Sequence, residues 1–135
     1  WKVVEHLGCE VFVNYLVDES KGRLHLNAAG GISPETRERM DWLDFGVAGC
    51  GWVAREGRRF VAEDISRLSG PQTDLLRDLG LQTYAGFPLA NQRKVIGTLG
   101  FASRARPRFE EDELALMRVV ADQVATRQER SVRSG

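Results

Sequence analysis

The chain has 135 residues, with 19 Lys and Arg against 19 Asp and Glu, so its formal net charge is zero. That length suits one domain able to bury a core without disulfides or metal, and 42% hydrophobic with 28% charged residues is a globular balance rather than a disordered or membrane one. Zero net charge argues against a nucleic-acid partner, which demands a basic face, although Arg55, Arg58, Arg59 and Arg67 lie close enough in sequence for a local basic patch. No apolar run approaches the roughly 20 residues of a membrane span, and no signal-peptide pattern is present. Cys9 and Cys50 are too few and too scattered for a disulfide framework or a zinc site. A reducing, cytoplasmic setting with unbridged cysteines is therefore expected. Because the first residue is Trp1, the chain is expected to be excised from a longer protein.

Trp1, Val4 and Leu7 have the spacing of a helix end. Residues 9–17 read as a strand, β-branched and aromatic, apolar on both alternating faces and so covered on both sides. Asp18 to Gly22 supplies hairpin turn chemistry. Arg23 to Ala29 is the returning strand, with Leu24 and Leu26 on one face. After Gly30 and Gly31, Ser33 has the character of an N-cap with Pro34 at the first helical position. This helix is expected to run to about Trp42. Residues 44–57 hold four glycines and read as a loop or short strand followed by a short helix over Gly51 to Arg55. A brief strand is expected at Arg58 to Ala62, then a loop from Asp64 to Gly70. Pro71 opens a further helix that Gly80 closes.

Gln82 to Leu89 and Val95 to Ser103 form the strongest hairpin, joined by residues 90–94. Gly97 and Gly100 fall inside its second strand, where glycine marks a close approach of backbone or ligand. After Pro107, four acidic residues, Glu110 to Glu113, suit a first helical turn. The helix is expected to reach about Arg130, with Leu114, Met117, Ala121 and Val124 as its apolar stripe, widened by Leu116, Val119 and Val120. Hairpins dominate this order, so the sheet should be largely antiparallel with helices on its faces.

Several separated segments share one resemblance. Gly46-Val-Ala-Gly-Cys-Gly-Trp-Val-Ala54 with Val61-Ala-Glu-Asp-Ile65 resembles the glycine-rich helix start, strand and turn of GAF domains. Phe87-Pro-Leu89 with Val95-Ile-Gly-Thr-Leu-Gly-Phe101 is similar to the GAF hairpin. Residues 109–125 resemble its closing helix. The resemblance spans nearly the whole chain and implies a single GAF domain over residues 1–135, with 126–135 starting a linker to an output domain. It implies an α+β sandwich, GAF/PAS-like: a central six-stranded antiparallel sheet with helices on both faces. It also implies a small-molecule pocket between one sheet face and the short middle helices. The terminal helices would pack on the other face and often form a homodimer interface.

By this resemblance the chain is a non-catalytic sensory or regulatory module of a bacterial signalling protein, most often a sensor histidine kinase. Its partners would be a small molecule and a second copy, without nucleic acid or membrane contact by this domain. Tyr15, Phe45, Cys50, Trp52, Phe60, Asp64, Tyr84 and Phe87 are the candidate ligand-binding residues. The aromatics among them are also core residues by default. No cofactor or metal follows from the residues. A haem would need an axial ligand such as His25, which alternation sets opposite Leu24 and Leu26. Bilin attachment lacks a histidine beside Cys50, and a cyclic-nucleotide signature is present only as a fragment at Phe60 to Asp64. Two alternatives stand beside the sensory reading. One is a GAF-type free-methionine-sulfoxide reductase using Cys50, for which no resolving thiol is evident. The other is a dimerisation module whose pocket is filled by side chains.

Overall fold

The computed structural model describes residues 9–91 and 94–134. The helix end expected at Trp1, Val4 and Leu7 lies outside them. Six strands form one antiparallel sheet: β1 (Val11–Asp18), β2 (Arg23–Gly30), β3 (Trp42–Leu43), β4 (Phe60–Ala62), β5 (Thr83–Asn91) and β6 (Lys94–Ser103), in the order β3-β2-β1-β6-β5-β4. The α+β sandwich and antiparallel sheet expected from the sequence are therefore present.

Helix α1 (Pro34–Arg39) starts as the sequence indicates: the Ser33 hydroxyl accepts from the Thr36 amide at 3.1 Å and Pro34 occupies the first turn. It stops three residues before the expected Trp42. Trp42 instead enters β3, where it stacks on His25 at 4.2 Å while Lys21 and Arg23 stand over its ring. The neighbouring Leu43 is buried opposite Leu24. This packing outweighs the weak local preference to continue the helix.

Helix α2 (Ala48–Glu56) begins earlier than expected and is closed by Gly57 in the left-handed conformation. Its first residue, Ala48, also has a left-handed φ of 57°. A 3-10 turn covers Ile65–Arg67, and α3 is short, Asp74–Asp78. Helix α4 (Glu111–Ser134) is the longest element. Its start is fixed by Glu113, which accepts from the Glu110 amide at 2.8 Å and takes both ends of the Arg106 guanidinium.

Alternation along the strands divides the core into two layers. Val11, Val13, Tyr15, Leu24, Leu26 and Tyr84 face α2 and α3. Ala85, Phe87, Leu99 and Phe101 face α4, packing against Leu114, Met117 and Ala121. The expected stripe on α4 widens through Val120 but not through Leu116 and Val119, which are exposed. Cys9 and Cys50 are both buried, one in each layer, so the sheet stands between them.

Candidate functional site

Between the sheet and α2 and α3, the structure holds Tyr84 in an unusual seat. Strand alternation points its side chain toward α2, and the ring then lies down along the sheet. Gly86, two residues further on β5, is paired with Gly100 on β6. A methyl carbon at Gly86 would fall 2.5 Å from the Tyr84 hydroxyl, and one at Gly100 would fall 2.7 Å from the ring. Gly49 of α2 closes the slot from above, and a methyl there would overlap the same ring. Three glycines thus build a space with the thickness of an aromatic ring, and Tyr84 fills it. Gly97, the other glycine flagged in β6, serves a different close approach, to the Tyr15 carbonyl.

The phenol ends at Cys50. Tyr84 Oη and Cys50 Sγ are 2.8 Å apart, and either can donate. Burial pushes the thiol up to about 11, opposed by the Tyr84 and Thr98 hydroxyls. The Tyr84 phenol is also raised, by burial first and then by the neighbouring thiol. Both groups are therefore neutral at physiological pH. Thr98 Oγ1 approaches the thiol without the geometry of a hydrogen bond, and it is buried without another partner. Tyr15 is fully buried and donates to the Met40 carbonyl at 2.6 Å. Beside Tyr84 a void of about 20 Å³ remains, walled by apolar side chains including Val13, Met40, Leu76 and Leu81.

The expected site residues fall into distinct places. Tyr15, Cys50 and Tyr84 meet in the buried layer. Phe60 stands 6.2 Å from Tyr84 and Trp52 5.2 Å from Phe60, ring centre to ring centre, forming a half-buried aromatic row that leads outward. Phe45 is 40% exposed, on the loop before α2 rather than in the pocket. Asp64 acts through its backbone: its left-handed φ of 49° turns the chain after β4, and its amide donates to the Pro107 carbonyl. Phe87 is on the wrong face. It is an odd number of residues from Tyr84 on the same strand, so it packs under α4 against Phe101.

Arg55 and Arg58 meet on an anion of the chain itself, the Glu56 carboxylate. Arg55 pairs with Glu56, Arg58 stands over the Trp52 ring, and both are exposed with Arg59. The amide of Ala48, which opens α2, donates to the Pro71 carbonyl at 2.7 Å.

Sequence reasoning missed Asn14, Thr98 and Gln128. Asn14 is buried on the α4 face of β1. It donates to the Thr98 carbonyl at 3.0 Å and accepts from Gln128 Nε2 at 2.6 Å and Asn27 Nδ2 at 2.9 Å. A β-bulge at Asn27 accompanies this arrangement. The available signal was one asparagine inside an otherwise apolar strand.

The family model described as GAF domain matches residues 2–126. The chain belongs to the GAF family. Among solved structures this GAF domain is similar to the GAF domain of an Acinetobacter phosphoenolpyruvate-protein phosphotransferase, with 20% identity, 99% of this chain and 80% of that chain covered, and a TM-score of 0.80. It is also similar to the free methionine-R-sulfoxide reductase of Neisseria meningitidis, at 21% identity, 98% and 75% coverage and a TM-score of 0.79. A domain of a two-component sensor histidine kinase from Sinorhizobium meliloti aligns at 20% identity, 96% and 84% coverage and a TM-score of 0.72. No curated protein matches the chain. At these identities the likeness is one of fold, and the fold carries both regulatory domains and an enzyme. No helix among the described residues is long and apolar enough to cross a membrane.

Proposed function

We propose that this GAF domain is a non-catalytic regulatory module of a cytoplasmic bacterial signalling protein, of the sensor histidine kinase class. In this reading the state of the space around Tyr84 is passed to α4, and α4 forms the homodimer contact. The observation that carries it is the Asn14 bridge. Thr98 presents its side chain to the Cys50–Tyr84 pair and its carbonyl to Asn14, and Asn14 holds Gln128 of α4. A shift of β6 beneath the pocket therefore moves a hydrogen bond on which the distal half of α4 rests.

Cys50 supports the non-catalytic reading. Its thiol is buried and neutral, and the second cysteine lies across the sheet. Sulfoxide reduction by thiol exchange needs a thiolate and a resolving partner.

Three measurements test the proposal. Free methionine sulfoxide with a thiol reductant should give no turnover above the protein-free rate; turnover that Cys50→Ala abolishes would end the non-catalytic reading. Hydrogen exchange should speed up in residues 122–134 of Asn14→Ala while β5 stays protected; unchanged α4 exchange would remove the bridge as the route. Sedimentation velocity that shows only monomer at every concentration would remove the α4 dimer. A second reading, a dimerisation module without a ligand, is favoured by the seating of Tyr84 in the pocket.

A further inference from the structure

The seat of Tyr84 has the shape of a binding site that is already filled. Glycines at the centre of a sheet weaken it, because they lose backbone entropy and offer no side chain to pack. Here Gly86 and Gly100 are cross-strand partners, and Gly49 lies above them. All three glycines leave room for the same aromatic ring. The hydroxyl of that ring meets a buried thiol at 2.8 Å rather than a charged or backbone group. Thr98 Oγ1 approaches the same thiol and is fully buried without a hydrogen bond of its own. The adjoining void is walled by Val13, Met40, Leu76 and Leu81, and among the described residues none of those that line it is charged.

We propose that Tyr84 is the resident occupant of a site shaped for a small neutral phenol, and that a ligand of this class enters only by displacing it. The ligand rests on the regulatory reading above; the internal plug does not. The chemistry selects the class. Three glycines admit a flat ring. The Cys50 thiol and Thr98 hydroxyl offer neutral hydrogen-bonding partners to one polar atom. An anion or a cation would shed its hydration against apolar walls with no opposite charge to meet it. The plug also lowers the affinity of the intact protein, because the open form is a minor fraction of the population.

The test removes the plug and offers its missing part. Tyr84→Ala should bind p-cresol saturably, read as a rise in melting temperature and by calorimetry. It should bind toluene about fivefold more weakly, the ratio expected for one neutral hydrogen bond, and should not bind p-toluate. The preference for p-cresol over toluene should shrink in Tyr84→Ala with Cys50→Ala. The unsubstituted domain should bind p-cresol at least a hundredfold more weakly than Tyr84→Ala. If Tyr84→Ala is unfolded alone, p-cresol should restore its folded circular dichroism.

Failure of p-cresol either to bind or to refold Tyr84→Ala would overturn the proposal, as would equal binding of p-toluate. Equal affinity in the unsubstituted domain would overturn the plug. These failures leave the regulatory reading standing, whereas sulfoxide turnover would end that reading without touching the plug.

Discussion

Gly100→Ala offers a quantitative check on the slot. Gly100 lies within β6 and is not among the residues with positive φ, so alanine fits its backbone. On that account alone the substitution would stabilise by about 0.4–1 kcal/mol, through a less flexible unfolded chain. The packing acts the other way. The new methyl would fall 2.7 Å from the Tyr84 ring, roughly 1 Å inside the 3.5–4.0 Å at which carbon atoms rest. The ring cannot rise, because Gly49 of α2 already touches its other side. Overpacking of this kind costs about 1–3 kcal/mol. The expected net effect is a loss of about 1–2 kcal/mol. In a Tyr84→Leu background the clash is gone, and Gly100→Ala should turn neutral or stabilise by about 0.5 kcal/mol. The coupling between the two positions is then about 2 kcal/mol. Urea unfolding followed by tryptophan fluorescence, at constant m-value, measures all four corners of the cycle. An equal cost of Gly100→Ala in both backgrounds would refute the slot.

Two further outcomes follow from the same region. Ala48→Gly should stabilise by about 0.5–1 kcal/mol, since Ala48 has a φ of 57° that costs an L-residue about 1–2 kcal/mol and the lost buried methyl returns only part of that; a melting temperature raised by a few degrees would show it, and a lower one would place the strain elsewhere. Stability should also fall at alkaline pH. The Cys50 thiol is raised from an ordinary value of 9.0 to about 11 in the folded state, so its contribution is whole below pH 9 and is lost as pH rises from 9 to about 11. That loss is about 3 kcal/mol for a shift of this size. Cys9, also raised to about 11, adds to it. Cys50→Ala should flatten the fall in denaturation midpoint between pH 9 and 10, and an unchanged slope would mean that the thiol ionises freely in the fold.

The parts of the fold legible in the sequence are those set by local rules. Ser33 and Pro34 mark a helix start because a side-chain cap and a fixed φ act within one turn. The hairpin of β5 and β6 is legible from its β-branched and aromatic runs. Trp42 is not legible as a strand residue, because its pairing with His25 is a contact across 17 positions, invisible to periodicity. The site divides the same way. Composition and resemblance reach Tyr15, Cys50 and Tyr84, but Phe87 needed the register of β5, which a shift of one residue inverts. Gly100 was legible as a close approach, yet only the pairing with Gly86 shows what approaches. Asn14 and Gln128 are 114 positions apart, and nothing in either segment announces the other.

The sheet's two border strands are its shortest: β3 has two residues and β4 has three. A border strand is where a foreign chain can add itself by main-chain pairing, and the length of the border limits how far that pairing runs. Beside β3, Lys21 and Arg23 crowd over Trp42, so one border is also flanked by positive charge. A copy that approached β3 or β4 themselves would find only two or three residues to pair with, whereas β2 runs on beyond the two residues that β3 pairs and β5 beyond the three that β4 pairs. A sheet continued from molecule to molecule would therefore have to start on those longer stretches of β2 and β5 rather than on the border strands themselves.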